Sequence, residues 1–160
     1  MWQDFANTLN DLNKAYKALI ELGKKKRNAL VMVDMKTVEA LLPEEEKITA
    51  NIARLEKNRQ SILLKMAASS VKLGPESKME DILSLAPAGK MQEILQKLYA
   101  MLQNTVKEAQ ELSEGNALLI RAAMNAAAFH LNRIGGAAVE PAYGKGGEVV
   151  THRKNFDYKA

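Results

Sequence analysis

The chain contains no cysteine, which excludes a disulfide framework, a thiolate nucleophile and thiolate metal sites. Histidine occurs only at positions 130 and 152, and neither residue is followed by a histidine or carboxylate three or four positions later. Zinc sites and catalytic helix motifs need such spacing. We therefore expect a protein that is not an enzyme and that has no catalytic residues, no cofactor and no metal.

Aromatic residues are also scarce, at 5% of the 160 residues, although apolar residues reach 47%. Leucine, alanine and methionine dominate the apolar set, and these residues form helices more readily than sheets. The composition therefore predicts an all-α fold.

Long apolar runs are absent as well. No 18 consecutive apolar residues occur, and the N-terminal "MWQDFANTL" has no basic segment leading into an apolar one. We expect a cytoplasmic protein without stable membrane insertion. The net charge of +4 is spread along the chain, so nucleic acid is not an expected partner. The basic run at residues 24–27 leaves an anionic-surface binder as a minor alternative.

Apolar residues recur at alternating steps of three and four from Trp2 to Val33. This heptad spacing predicts a first long helix over about residues 2–33, which needs a partner along its length. Gly23 and Lys26 interrupt the apolar seam.

Asp34 is a candidate N-cap for the following segment. Pro43 precedes three glutamates, which predicts a short helix that ends before it and a long helix that begins there. The apolar seam of this second long helix continues to Met66 and is interrupted by Glu45 and Arg59.

A third long helix follows a Gly-Pro breaker and a short connecting helix. The capping-box pattern "SKME" at residues 77–80 introduces the short helix. Pro87 opens the longest periodic segment, which continues to Ile134 before two glycines. The expected architecture is a coiled-coil-like bundle of three long antiparallel helices over residues 1–136, with a flexible C-terminal tail over residues 137–160.

The stretch "ALLIRAAMNAAAFHL", residues 117–131, has apolar side chains on more than one face of its predicted helix. A helix on the outside of a bundle does not need this width, whereas a helix that receives a partner does. The glycine-rich "GKGG" in the tail lacks the spacing of a phosphate-binding loop and follows a helix rather than a strand. We therefore interpret the tail as a partner-binding arm.

The order of these features resembles the FlgN family of flagellar export chaperones. The first half is similar in "LIELGKKKRNALVMVDMKTVEALLPEEEKITANIARLEKNRQSILLKMA". In the second half, Asn116, Leu119 and Ile120 match an Asn-x-x-Leu-Leu stretch of the family. Tyr143 and Gly147 match a Tyr-x-x-x-Gly tail, and the chain ends in "NFDYKA" as the family does.

The resemblance implies a chaperone for type III flagellar export. Its partners would be the hook-associated proteins FlgK and FlgL, bound at their C-terminal helical region so that they do not associate prematurely. The resemblance also implies delivery to the export gate, with the gate component FlhA as a possible partner through a tail tyrosine. Tyr143 is the candidate for that contact, and Tyr158 is its rival.

The family's substrate-binding part corresponds here to Leu119 through the tail. The expected partner-binding residues are Leu119, Ile120, Ala123, Ala127, Leu131, Ile134, Val139 and Tyr143. The heptad regularity of the first helix keeps one alternative open, a structural coiled-coil protein that self-associates through the same stripe.

Overall fold

The structure is a computed structural model that describes residues 1–73, 76–135, 139–143 and 149–153. Its elements are α1 (Trp2–Val31), α2 (Met35–Ala68), α3 (Met79–Ser84), α4 (Lys90–Gly135), β1 (Val139–Tyr143) and β2 (Val149–Arg153). The predicted bundle of three long helices with a short connecting helix is confirmed.

The turn between α1 and α2 combines a helix stop with a helix cap. The Val33 amide donates to the Leu30 carbonyl (3.1 Å) and the Asp34 amide to the Ala29 carbonyl (2.8 Å), which is the Schellman pattern of a helix C-terminus. Asp34 Oδ1 accepts from the Thr37 amide at 3.2 Å, so the predicted N-cap is confirmed. Val33 has a φ of 55°, where glycine is usual, and the turn is therefore strained.

The predicted short helix before Pro43 is wrong, because α2 runs unbroken from Met35 to Ala68 with Pro43 inside it. A proline inside a helix removes one intrahelical hydrogen bond. Val38 before it and Ile52 after it are both buried in the bundle. Packing on both sides of the proline holds the segment as one helix.

The other helix ends lie close to their predicted positions. Asp81 Oδ2 accepts from the Lys78 amide at 3.0 Å, so α3 begins at Met79 and the predicted role of Glu80 in a capping box belongs to Asp81. The longest helix, α4, begins three residues after Pro87, and its last residue is the first of the two glycines.

α2 runs antiparallel to α1. Asn58 Nδ2 donates to Thr8 Oγ1 at 3.0 Å near one end of the pair, and Lys26 Nζ lies 2.9 Å from Glu45 Oε2 near the other. Residue numbers that rise along α1 therefore face numbers that fall along α2.

α4 returns parallel to α1. Asn13 Nδ2 donates to the Leu98 carbonyl at 3.1 Å, and Asn116 Nδ2 donates to the Gly23 carbonyl at 3.0 Å. α1 packs against both α2 and α4, whereas these two helices, both described throughout, have no Cα atoms within 8 Å of each other. α1 is therefore the central helix of the bundle.

The core has a large and a small part. The large cluster comprises Phe5, Ala6, Leu9, Leu12, Ala15, Ile52, Leu55, Ile62, Met66, Ile82, Leu83, Ala86, Leu95 and Leu102. The small cluster comprises Ala29, Leu30 and Val38, with Leu119 and Ile120 packed against it. Burial is therefore concentrated where α1, α2 and the first half of α4 overlap.

The two strands form an antiparallel pair in which Val139 faces Arg153 and Tyr143 faces Val149. The hairpin was not predicted. Its sequence signal is the β-branched run at residues 149–151, which we overlooked among the glycines that precede it. β1 also contacts α4. Flexibility of the tail stays a prediction.

Candidate partner-binding surface

The C-terminal third of α4 extends beyond the helix on which it packs. α1 ends at Val31, and the small cluster joins that end to Leu119 and Ile120. α4 then continues through 15 more residues, 121–135, which span about 22 Å at about 1.5 Å per residue. We call residues 121–135 the overhang.

The face of α4 that packs on α1 continues along the overhang. Buried residues recur every seven positions on this face, at Leu95, Leu102, Ala109 and Asn116. Helical spacing places Ala123, Ala127, Leu131 and Ile134 close to the same angular position. The overhang therefore carries the same apolar stripe without α1 beneath it.

The stripe is more exposed at the end of the overhang than at its start. Ala123 is half-buried and Ala127 is exposed, while Leu131 and Ile134 are 56% and 84% exposed. Exposed apolar side chains that follow one another on one helical face are typical of an interaction surface. The structure thus brings together four of the predicted partner-binding residues.

The other predicted residues have different positions. Leu119 and Ile120 are half-buried against the small cluster, so they also attach α4 to the end of α1. Val139 and Tyr143 are the first and last residues of β1. The side chains of both lie outside what the structure describes, as do all atoms of Gly147 and Tyr158.

Our sequence analysis missed individual residues on a second exposed face of α4. Leu118 and Phe129 are 64% and 58% exposed, and the Arg133 guanidinium carbon lies 5.7 Å from the centroid of the Phe129 ring. Helical spacing puts both apolar residues away from the stripe that continues toward Ile134. The sequence signal for this second face is the presence of apolar side chains on more than one side of the helix over residues 117–131. That pattern predicts the extra apolar surface but does not by itself single out Leu118 and Phe129.

The turn between α1 and α2 exposes a further apolar group, formed by Val31, Met32, Val33 and Met35. We call these four residues the tip. The small cluster holds the tip beside the start of the overhang, because Leu30 precedes it and Val38 follows it. Methionine side chains adapt to differently shaped partners. The tip and the overhang stripe therefore form neighbouring apolar surfaces at one end of the bundle.

Two grooves lie between α2 and α4, and α1 contributes residues to both. Residues 77, 79 and 82, in and before α3, also line the first of them. The Leu9 groove has a volume of about 530 Å³ and is lined by residues that include Leu9, Glu56, Arg59, Tyr99, Leu102 and Lys107. The Gly23 groove has a volume of about 220 Å³ and is lined by residues that include Leu19, Gly23, Lys26, Glu45, Asn116 and Ile120. The side of α1 that faces the space between α2 and α4 is thus incompletely covered.

All four residues that interrupt the apolar seams line these grooves. In the Gly23 groove, Lys26 pairs with Glu45, and a Cβ atom at Gly23 would lie 2.7 Å from Leu112 Cδ2. Glycine therefore permits the close approach of α1 and α4 at this point.

In the Leu9 groove, Arg59 Nε lies 2.8 Å from Glu56 Oε2. Burial raises the pKa of nearby Tyr16, the Glu56 carboxylate raises it further and the Arg59 charge opposes both effects. The charged interruptions of the seams are thus paired groups on the groove walls.

Within the described residues, no cluster of three or more histidine and carboxylate side chains could hold a metal ion. In the same part of the chain, no helix has the length and apolarity needed to span a membrane. The chemistry that the described surface offers is burial of apolar side chains beside paired charges.

Comparison with protein families gives a match to the family described as FlgN protein, over residues 1–151. Searches of curated proteins and of solved structures give no match. The family match includes the three long helices, the overhang, β1 and the first three residues of β2.

Proposed function

The chain belongs to the FlgN family of flagellar export chaperones, and from this premise we propose that it binds the hook-associated proteins FlgK and FlgL in the cytoplasm. In this proposal it covers their C-terminal helical region, prevents premature association and delivers them to the export gate. The observation that carries the proposal is the exposed stripe of Ala127, Leu131 and Ile134 on the overhang.

The stripe suits an amphipathic client helix. Along residues 95–116, α4 buries this face on α1, so a second helix can bury its continuation in the same manner. A client helix over the overhang would also lie beside the tip. The client's apolar face would then be covered by the chaperone instead of by another client molecule.

We propose that residues 137–160 act as an arm that contributes to the same complex. Ordering a mobile segment on binding costs on the order of 2–5 kcal/mol, which keeps an extensive contact reversible. Export requires such release. Within the arm, Tyr143 is our candidate for contact with FlhA, with Tyr158 as the rival.

Exchange of Leu131 and Ile134 for serine in one double variant tests the stripe. Loss of two apolar side chains from a buried interface is expected to weaken binding of purified FlgK or FlgL at least about tenfold. The measurement is isothermal calorimetry. The free protein should unfold at the same denaturant concentration as wild type, because both side chains are exposed.

A matched control is Leu64→Ser, which removes a 72% exposed leucine of α2 near the opposite end of the bundle. Its affinity for the client should equal that of wild type. Wild-type affinity in the double variant would contradict the role of the stripe.

A chain that ends at residue 136 tests the arm in the same assay. Unchanged affinity of this shorter chain would contradict the role of the arm but would leave the role of the stripe intact.

Self-association is the second candidate function, since the same bare stripe could pair with a second copy of the chain. Light scattering over a wide concentration range separates the two proposals. A monomer that binds FlgK or FlgL supports the chaperone, whereas a dimer that the double serine variant dissociates supports self-association.

A further inference from the structure

The bundle is open along one side. α1 lies between α2 and α4, and these two outer helices have no Cα atoms within 8 Å of each other. The Leu9 and Gly23 grooves both lie in this opening, and α3 borders the Leu9 groove through Met79 and Ile82. From Leu9 to Gly23, α1 spans about 21 Å at about 1.5 Å per residue, which is the length of a helix of four turns. We call this opening the trough.

One polar atom in the trough lacks a partner. Asn116 is 4% exposed and lines the Gly23 groove, yet its Oδ1 has no hydrogen-bond partner among the described residues. Its Nδ2 donates to the Gly23 carbonyl at 3.0 Å. Rotation of the amide by 180° would place two oxygens against each other, so this contact determines the orientation. The unfilled acceptor is therefore Oδ1.

None of the other donors that line this groove bonds to Asn116 Oδ1 among the described residues. Lys26 Nζ lies 2.9 Å from Glu45 Oε2, and Thr49 Oγ1 donates to the Glu45 carbonyl at 3.0 Å. A buried acceptor without a donor destabilises a protein, and a leucine of similar shape would avoid that penalty. An asparagine at this position is explained if a partner supplies the donor.

We propose that the trough is a second docking site, which takes an amphipathic helix of the client with a hydrogen-bond donor on Asn116 Oδ1. The donor would be the side chain of glutamine, asparagine, lysine or arginine. This inference rests on the proposed function for the identity of the client, but it assigns the contact to the bundle rather than to the overhang or the arm.

A helix fits the trough better than an extended peptide does. An extended peptide binds by pairing with a sheet edge, and the walls of the trough are helices. The paired charges Lys26 with Glu45 and Arg59 with Glu56 present both signs along the walls. An amphipathic helix with mixed charges beside its apolar stripe complements such walls.

Ala117→Trp tests occupancy of the trough. Ala117 is exposed and lines the Gly23 groove, so tryptophan there would fill the groove without removing a core side chain. We expect at least about tenfold weaker binding of purified FlgK or FlgL in calorimetry. The matched control is Ala100→Trp, an exposed alanine of α4 that helical spacing places away from α1. It should bind as wild type does.

Asn116→Leu tests the donor. It removes the unfilled acceptor, which stabilises the free protein, and also the hydrogen bond to the Gly23 carbonyl, which destabilises it. The two effects oppose each other, so the free protein should unfold at about the same denaturant concentration as wild type. Binding of the client should weaken about fivefold or more, because the donor of the client loses its acceptor. If the Asn116→Leu variant is less stable than wild type but binds the client with wild-type affinity, Asn116 only stabilises the bundle. That result would overturn the assigned contact.

The outcomes separate this inference from the proposed function. Weak binding by Ala117→Trp and Asn116→Leu, with a normal Ala100→Trp control, supports the trough. If both trough variants bind as wild type while the Leu131 and Ile134 double variant fails, the trough inference is overturned and the proposed function stands. If wild type binds neither FlgK nor FlgL, both are overturned.

Discussion

The two ends of α4 carry the same apolar stripe, but only the first end buries this stripe on α1. Leu95 in the first half is completely buried against the bundle, whereas Leu131 in the overhang is 56% exposed. Both are leucines on one face of one helix. The difference arises from the neighbour, because α1 has 30 residues and α4 has 46.

This contrast separates stability from binding. Apolar periodicity indicates that one face of a helix becomes buried, but it does not show whether the residues that bury it belong to the same chain or to a partner. The stripe in the first part of α4 becomes buried when the chain folds, and in our proposal the stripe on the overhang becomes buried when a client binds. Substitutions in the two halves should therefore affect different measurements.

The largest effect is expected from Leu95→Ala compared with Leu131→Ala. Removal of the buried Leu95 side chain should lower the free energy of unfolding by about 3 kcal/mol, because it leaves a cavity in the core. The same exchange at Leu131 should change it by less than about 0.5 kcal/mol. Denaturant unfolding gives both values, and equal losses would contradict the contrast between the two halves.

A substitution in the tip is expected to change the free energy of unfolding by a smaller amount and in the opposite direction. Val33→Gly should raise the free energy of unfolding by about 0.5–1 kcal/mol, because left-handed backbone costs valine about 1–2 kcal/mol and glycine recovers part of this. Thermal and denaturant unfolding measure the gain. The loss of an apolar tip side chain should at the same time weaken binding of the client.

Val31→Gly is the matched control for the tip. Val31 is the last residue of α1 and is also exposed, so glycine there should lower stability by up to about 1 kcal/mol. Destabilisation by both glycine variants would show that the turn at Val33 is not strained.

The smallest effect concerns Asp34, which caps α2 beside the tip. Hydrogen bonds from the Thr37 hydroxyl and amide lower the pKa of Asp34. A lowered pKa gives stability that is complete above the unfolded pKa and disappears as pH falls through the folded pKa. Asp34→Asn retains a capping side chain without a titrating group.

Wild type should therefore be slightly more stable than Asp34→Asn at neutral pH, and the two should converge in acid. Thermal unfolding at several pH values makes the comparison. A constant difference at all pH values would show that the charge of Asp34 has no role in the cap.

Much of the helical architecture could be predicted from local sequence signals. Asp34 marked a helix start and the glycine after Ile134 marked a helix end, because caps depend on neighbouring residues. Pro43 misled us, since packing on both sides of it outweighs one lost hydrogen bond. The hairpin was missed because its strands are short and a glycine-rich sequence separates them.

The surface was less predictable than the fold. The apolar periodicity of the sequence predicts the stripe through Leu131 and Ile134. Its exposure could not be predicted in this way, because it depends on where α1 ends beside α4. Gly23 and Lys26 looked like defects of a seam until the structure placed both in the groove between α2 and α4. Such relations involve residues about 90 positions apart, and no local pattern contains them.

Amide hydrogen exchange of the intact chain, with and without purified FlgK, tests the central claim most directly. On binding, we predict new protection at residues 123–135 of the overhang and at residues 31–35, which include the tip. Residues 95–109 should be protected before and after, because α1 already covers them. Unchanged exchange along the overhang in a saturated complex would contradict the account.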